Sequence, residues 1–438
     1  MINPANFSIN TMNTHTSNPK AADKRRLRTF RLVCRPHERP AVESLLSAEG
    51  YAFEPEPYLA SARALTSEPK PLGSSVAAAF GLIYILDKSS MLPPLCLAPG
   101  EGEAALDLCA SPGSKTGVLA ELAGDHGLVV GNEPKKKRYQ TLRQNMRLAN
   151  LLQVVSTGYK AETYPGVYLW DKILLDVPCS GWGTAEKNPR VLSLWRENTI
   201  QPLLSLQQSL LARATDLLAP GGRLIYSTCT TNVQENEHQI LWASEQFGLW
   251  REHLPPCPGF VFDPPQSSLA RGTLRVNGPA SQGQSFFVAG LLKPGQRSEN
   301  GLQECGAERV VVDPVVHSRL KTEVDWQGLP PGRVEMENER LICKPWKAVH
   351  SMAHISWQGT VIGYGRKGLR ISPRARHLVP QPKAGQTLIL DSMEELQKLL
   401  QGQSLPAPGP GPLAGLYWQD LPLGWVTVKG KRCMWSDL

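Results

Sequence analysis

At 438 residues the chain is long enough for two or three domains with ordinary cores. Its 47 basic against 39 acidic residues give a net charge of +8 and a pI near 9.0, which favours a polyanionic partner, nucleic acid first. Nine cysteines without CxxC pairs or histidines at ligand spacing argue against a disulfide framework and a zinc site, and no apolar run approaches the roughly 18 residues of a membrane span, so a cytoplasmic protein with no metal and no membrane contact is expected.

Residues 1–22 contain no acid and much Ser, Thr and Asn, and read as a disordered tail. Arg26 to Cys34 alternates as a strand, and Ala41 to Leu46 suggests a short helix, giving a small α/β segment over 23–86 that the apolar stretch Val76 to Leu86 closes. Asp87 to Pro94 is placed to cap a helix whose apolar face includes Leu97. Ala104 to Ala120 (AALDLCASPGSKTGVLA) then couples a buried strand to a glycine turn and a helix, the opening unit of a doubly wound sheet. In that unit Gly113 is expected to let the backbone approach a nucleotide-like ligand without a Cβ in the way. There is no GxGxxG, and Lys115-Thr116 lacks both glycines of GxxxxGK[ST], those positions being Cys109 and Ser114, which argues against phosphate binding at this turn.

Gly127 to Asn132 is a second buried strand, ending at Glu133, where a carboxylate is placed to accept hydrogen bonds from the vicinal hydroxyls of a ribose. Lys135-Lys136-Lys137-Arg138 opens a helix running to about Ala149, with cations at the wrong end of the macrodipole; they read as a solvated charge run or as phosphate contacts. Asp171 to Asp176 is a further buried strand, followed by Val177-Pro178-Cys179. A leucine-rich helix from about Gln201 to Leu218 leads through Pro220-Gly221-Gly222 into the strand Arg223 to Ser227 and Thr228-Cys229-Thr230. Asn232 to Phe247 reads as an amphipathic helix and Ser285 to Leu291 as a late, edge strand. The alternation predicts an α/β, Rossmann-like, mostly parallel sheet with helices on both faces over 87–293.

Residues 294–306 read as a linker into a β-rich domain over 307–438. From Leu341 to Leu390 there is no acid, while Lys344, Lys347, Arg366, Lys367, Arg370, Arg374, Arg376 and Lys383 accumulate beside Trp346, Trp357 and Tyr364. That pattern suits phosphate contact with base stacking, or else a basic β-rich domain with aromatics in its core. Leu416 to Val428 reads as two strands about a Pro-Leu-Gly turn.

Cys179 and Cys229 both leave buried strands at what a parallel sheet makes the same edge. A pyrimidine ring becomes nucleophilic at carbon 5 only after something adds to carbon 6, and a thiolate is the best side chain for that addition. After methylation a second group must take the carbon 5 proton so that the adduct is released. Asp176 is placed to polarise the base.

On these motifs the chain resembles the RNA (cytosine-5)-methyltransferases of the Sun and Nop type, and more closely their RsmF-like bacterial members, over about Asp87 to Lys293. The resemblance implies a class I S-adenosylmethionine-dependent methyltransferase fold. Asp107 to Thr116 (DLCASPGSKT) becomes the cofactor loop, with Cys109, Ala110, Ser111, Pro112, Gly113, Ser114 and Lys115 lining the cofactor together with Asp176. Glu133 holds the ribose, and Arg138 occupies the family's basic position. The resemblance assigns Cys229, in Ser-Thr-Cys-Thr, to attack and Cys179, in Asp-x-Pro-Cys, to release. Lys187-Asn188-Pro189 resembles the family's Lys-Asp-Pro, Glu235-Asn236-Glu237 its Glu-Asn-Glu, Phe286 to Ala289 its last strand, and the end of the chain, through Gly424-Trp425, its PUA-like RNA-binding domain. Two departures stand out: Ser111 and Ser114 replace the commoner alanine and glycine, and Ser156 to Ala161 lacks the family's adenine-binding acid, leaving Glu162 as the nearest substitute. The implied activity is formation of 5-methylcytosine in RNA, with 16S small-subunit rRNA or the small ribosomal subunit as partner and a monomer as the working form. Methylation of tRNA, methylation of DNA from Cys179, and a non-catalytic RNA-binding assembly factor are the alternatives.

Overall fold

The computed structural model describes residues 28–184, 197–296, 309–365 and 368–436. Lys187-Asn188-Pro189, the N-terminal tail, most of the linker, and Arg366 and Lys367 lie outside the described residues.

Four short strands, β1 (Thr29–Leu32), β2 (Ala52–Pro55), β3 (Ala62–Ser67) and β4 (Ile83–Ile85), pair antiparallel in the order β2-β3-β1-β4, with helix α1 (Arg39–Ala48) beside them. Asp87 accepts from the Ser89 N–H at 3.1 Å and so caps the 3-10 turn Lys88–Met91 rather than the helix Leu92–Leu97, which has no side-chain cap and in which Leu97 is buried as expected.

The large sheet is built on β5 (Ala104–Asp107), β6 (Leu128–Asn132), β7 (Val154–Thr157), β8 (Trp170–Asp176) and β9 (Leu218–Thr228), all parallel, with β5 flanked by β6 and β8. Helices α2 (Ser114–Ala123), α3 (Lys136–Leu148), α4 (Glu197–Leu217) and α5 (Glu237–Phe247) connect or flank these strands. Successive residues of a strand point to opposite faces, so one chain segment feeds two cores. Leu106, Val130, Ile173, Leu224 and Phe287 pack with Leu210, Leu211 and Ile240 on one face. Ala105, Val129, Leu174, Ile225 and Val288 pack with Leu119, Leu142 and Met146 on the other. Burial on both faces explains the near-continuous apolar runs.

Beyond β9 the sheet turns antiparallel through β10 (Trp250–Glu252), β11 (Phe262–Asp263), β12 (Leu274–Val276) and β13 (Phe286–Leu292), in the order β11-β12-β13-β9, with β10 also on β13. The segment read as an edge strand is therefore interior: β13 is bonded to β9 on one side and to β12 and β10 on the other, and six of its seven residues are buried. Helix α5 begins at Glu237, because Asn232 to Asn236 form the turn that carries the buried Glu235 and Asn236.

Two five-stranded sheets complete the chain. The first runs β14 (Val311–Val312), β15 (Gly332–Glu337), β16 (Arg340–Pro345), β17 (Thr360–Tyr364), β18 (Arg370–Ile371). The second contains β19 (Thr387–Leu390), β20 (Leu405–Pro406), β21 (Leu413–Trp418), β22 (Leu421–Lys429) and β23 (Arg432–Met434), in the order β19-β21-β22-β23-β20. The hairpin turns at Gln419-Asp420, not at Pro422-Leu423-Gly424, which lie inside β22. Gly424, with φ of 141°, lies so close to Pro373 that a Cβ there would meet its carbonyl oxygen. The second sheet shares one core with the N-terminal sheet: Phe30, Leu46 and Leu82 pack in the same cluster as Leu416, Val426 and Trp435.

Candidate active site

Strand order reverses at β5: the chain passes from β5 outward to β6 and β7, and returns to β8 and β9 on the other side. A crevice at the carboxyl ends of strands follows at such a switch point. Asp107, Glu133, Asp176 and Ser227 close these strands or immediately follow them, so the topology collects polar groups from four strands at one edge.

The turn after β5 is braced by α3. Ser111 Oγ donates to Arg138 O at 3.0 Å, Arg138 Nη2 donates to Ser111 O at 2.9 Å, and Asn145 Nδ2 donates to Pro112 O at 2.8 Å. Gly113 has φ of 107°, and a Cβ there would lie 2.4 Å from Met146 Cε. The glycine is thus favoured by its left-handed backbone angle, with the Met146 side chain of α3 packed close against it. Asp107 accepts from Thr116 Oγ1 at 2.7 Å, and burial pushes its pKa up to about 7. Glu133, 1% exposed, accepts from the Lys135 N–H at 2.9 Å and pairs with Arg138 at 3.2 Å. Cys109 is buried enough that its thiol pKa is pushed well up, which marks it as an inert wall of the loop. Main-chain groups and two buried carboxylates at adjacent strand ends suit an ammonium and a ribose diol, and so fit S-adenosylmethionine better than a phosphorylated cofactor. Glu162 is exposed on the turn Ala161–Thr163, while Asn132, fully buried, ties the ends of β5 and β7 together by donating to Leu108 O and Tyr159 O and accepting from Thr157 Oγ1.

Asp176 and Ser227 are paired residues of β8 and β9, and Ser227 Oγ donates to Asp176 Oδ1 at 2.7 Å. Past them the two chains bring Cys179 Sγ and Cys229 Sγ to 3.1 Å. Lys115 reaches into this group: its Nζ is 2.8 Å from Asp176 Oδ2 and 5.1 Å from the centroid of the Phe286 ring. Burial works against the Lys115 ammonium, but the Asp176 carboxylate outweighs it and the pKa is raised. The Cys229 thiol is lowered, chiefly because Cys179 hydrogen-bonds to it, with the Lys115 ammonium helping, whereas the same hydrogen bond and burial push Cys179 well up. The two sulfurs lie within hydrogen-bonding distance, so either thiol can support the thiolate of the other.

The motif Glu235-Asn236-Glu237 supports both cysteine turns. Glu235 accepts from Ser180 N at 2.8 Å and Ser180 Oγ at 2.6 Å, and Gln207 Nε2 bridges Pro178 O at 2.9 Å and Glu235 at 3.3 Å. Asn236 accepts from Thr228 Oγ1 at 2.6 Å and donates to Thr230 O at 3.0 Å. Glu237 pairs with Arg275, whose Nη2 donates to Thr231 O at 2.8 Å. Sequence reasoning brought Cys179, Cys229 and Asp176 together as found; it placed Lys115 on the cofactor loop only, and it did not find Ser227, Gln207 or Arg275. The strand-end position of Ser227, directly before Thr-Cys-Thr, was the available signal.

The C-terminal basic residues behave differently from the expected phosphate-binding series. Lys344 pairs with Glu335 and Glu337, Lys383 with Glu323, and the buried Arg376 with Glu38, while Lys347 donates to Gly102 O and Arg374 to Ala79 O. Arg376, Lys347 and Arg374 join the domain to the rest of the chain, whereas Lys344 and Lys383 pair within it.

The family model described as 16S rRNA methyltransferase RsmB/F matches residues 94–292. Ribosomal RNA small subunit methyltransferase F of Shewanella loihica is 35% identical over 259 residues, 57% of this chain and 53% of that protein. The chain spans about half the length of the curated relatives it matches. Among solved structures, a methyltransferase homolog protein from Pyrococcus horikoshii is 30% identical, with a TM-score of 0.54 over 61% of this chain and 86% of its own. NSun6 from the same organism shares the fold at 20% identity and a TM-score of 0.55, over 62% and 91%. With the strand order, the loop after β5 and the paired cysteines already in place, these matches show that residues 94–292 carry an S-adenosylmethionine-dependent methyltransferase domain of the RsmB/F type.

Proposed function

We propose that this chain methylates carbon 5 of cytosine in small-subunit ribosomal RNA through a covalent adduct at Cys229. The observation that carries the reading is the cysteine pair, 3.1 Å apart, beside Asp176 and Lys115. The Cys229 thiolate adds to carbon 6 of the base, and Asp176, held by Ser227 and Lys115, stabilises the protonated ring nitrogen and exocyclic amine as electron density moves to carbon 5. S-adenosylmethionine supplies the electrophilic methyl group when bound. As Cys229 adds, the Cys179 thiol passes its proton through a water to the ring nitrogen; the Cys179 thiolate so formed takes the carbon 5 proton, the carbon 6–sulfur bond breaks to return the Cys229 thiolate, and the ring-nitrogen proton leaves to solvent. Its high pKa keeps Cys179 from competing as a nucleophile during attack. The base must be unpaired or flipped to reach the sulfurs.

The small-subunit substrate rests on the names of the relatives, and the resemblance supplies the assignment of Cys229 to attack. Purified protein with 16S rRNA and S-adenosylmethionine tests both. Cys179→Ala should accumulate a protein–RNA adduct on a denaturing gel, and Cys229→Ala should give neither adduct nor methyl transfer. Methylation by Cys229→Ala would refute the nucleophile assignment. Inactivity of the wild type on 16S rRNA with activity on tRNA would replace the substrate, and micromolar cofactor affinity absent altogether would leave an assembly factor on this fold.

A further inference from the structure

We infer that the pocket between α3 and strands β16 and β17 is a phosphodiester-binding site, which holds the RNA strand away from the reacting base. The inference rests on the RNA-modifying reading above. The pocket, of about 250 Å³, is lined by Arg143 and Arg147 from α3 and Arg340 from β16, with Ser156 from β7 and Gln358 and Thr360 from the C-terminal domain. No aspartate or glutamate lines it among the described residues. Arg143 and Arg147 are one turn apart on the same helix face, where like charges oppose each other, and Arg340 adds a third guanidinium from another domain. Neither Arg143 nor Arg340 pairs with a carboxylate among the described residues. Arg143 rests against the face of Tyr139, 5.9 Å from its centroid, and Arg147 Nη1 donates to the Tyr364 hydroxyl at 2.7 Å, so two of the three are oriented by aromatic partners. Burial, and then the charges of Arg340 and Arg147, depress the Arg143 guanidinium.

The contrast with the rest of the C-terminal domain gives the cluster its meaning. There, Lys344, Arg376 and Lys383 have carboxylate partners. The pocket is also held rigid: Ser156 and Gln358 exchange backbone hydrogen bonds of 3.0 and 2.9 Å, locking the C-terminal domain onto the free edge of β7 beside it. Convergent guanidiniums, those of Arg143 and Arg340 without a carboxylate partner among the described residues, match a phosphate's oxygens by bidentate hydrogen bonding. RNA threading from the cysteine pair past α3 supplies such a group.

The full chain is titrated with a fluorescent single-stranded RNA oligonucleotide, without cofactor, across a range of salt. Arg143→Gln with Arg340→Gln should weaken binding by about tenfold. It should also reduce the slope of log affinity against log salt by about 0.7 for each phosphate that the protein no longer neutralises. Cofactor affinity should be unchanged. Arg340 is exposed, so Arg340→Gln alone tests the site without disturbing packing, and Arg143→Lys should restore part of the affinity. Unchanged affinity and slope in the double variant overturn the inference. So does inorganic phosphate that stabilises the wild type but not the double variant while RNA binding stays equal, which would mark a small-anion site. The titration needs no turnover: an inactive protein whose RNA affinity depends on these arginines overturns the catalytic reading alone, and an active one indifferent to their loss overturns this inference alone.

Discussion

Glu235 is fully buried, and through Ser180 it fixes the residue next to Cys179. Replacing it by alanine leaves the Ser180 N–H and one Gln207 N–H without their acceptor, while Ser180 Oγ keeps Thr230 Oγ1 at 2.8 Å. Two buried donors at about 1–3 kcal/mol each, partly offset because a carboxylate no longer has to be buried, give an expected destabilisation of about 2–4 kcal/mol. Glu235→Gln keeps the volume and one acceptor and should cost about 1–2 kcal/mol, measured by urea unfolding. The functional consequence is more diagnostic than the stability loss. A displaced Cys179 impairs release before attack, so Glu235→Gln should accumulate the protein–RNA adduct while methyl transfer to carbon 5 persists, a partial copy of Cys179→Ala. If Glu235→Gln is slowed without adduct, or if Glu235→Ala unfolds within about 0.5 kcal/mol of wild type, Glu235 does not position Cys179 and the reasoning fails.

Asp107, raised from 3.8 to about 7 by burial, keeps in the folded state a proton that the unfolded chain gives up, so stability falls as pH rises across that window. The full cost, up to about 4 kcal/mol, stands above it. Asp107→Asn should therefore unfold at higher urea than wild type above pH 7 and lose the dependence, whereas a parallel pH profile would refute the assignment. Lys115→Met removes the cation that helps lower Cys229, so the pH profile of Cys229 alkylation, read by peptide mass, should move upward; an unmoved profile refutes the contribution of Lys115. Glu237 and Arg275 form a buried pair, 2.7 Å apart, so losing either partner should cost about 3–5 kcal/mol. The double variant Glu237→Gln, Arg275→Met should recover more than half of that in a double-mutant cycle.

The parallel strands were legible because burial on both faces forces apolar runs, and the site was legible where its residues directly follow those runs, as Asp176, Cys179 and Cys229 do. By the same argument the interior place of β13 was written in its own sequence: Phe286 to Leu292 is apolar throughout, which an edge strand facing water on one side does not require. Lys115 was legible as a loop residue and not as the partner of Asp176, since that contact depends on α2 and β8 meeting at the switch point. Glu235-Asn236-Glu237 was legible only as a motif; its role needs three backbone turns to be present at once.

The C-terminal domain shows why charge is a poorer guide than burial. Its basic residues stood out in a stretch without acids, yet their partners lie outside that stretch, at Glu335, Glu337, Glu323 and, across the whole chain, Glu38. Arg376 is 2% exposed and also donates to Val33 O, so its charge is spent on joining the N-terminal sheet to the C-terminal domain. Phe80 meets Trp435 edge-on at 4.8 Å in the same junction. The domain therefore closes on the catalytic sheet from two directions, at the N-terminal sheet through this core and at β7 through Gln358. Once those cations are accounted for by partners within the chain, two guanidiniums that line one pocket without a carboxylate partner among the described residues, Arg143 and Arg340, lie where two domains meet rather than where lysine and arginine are densest in sequence.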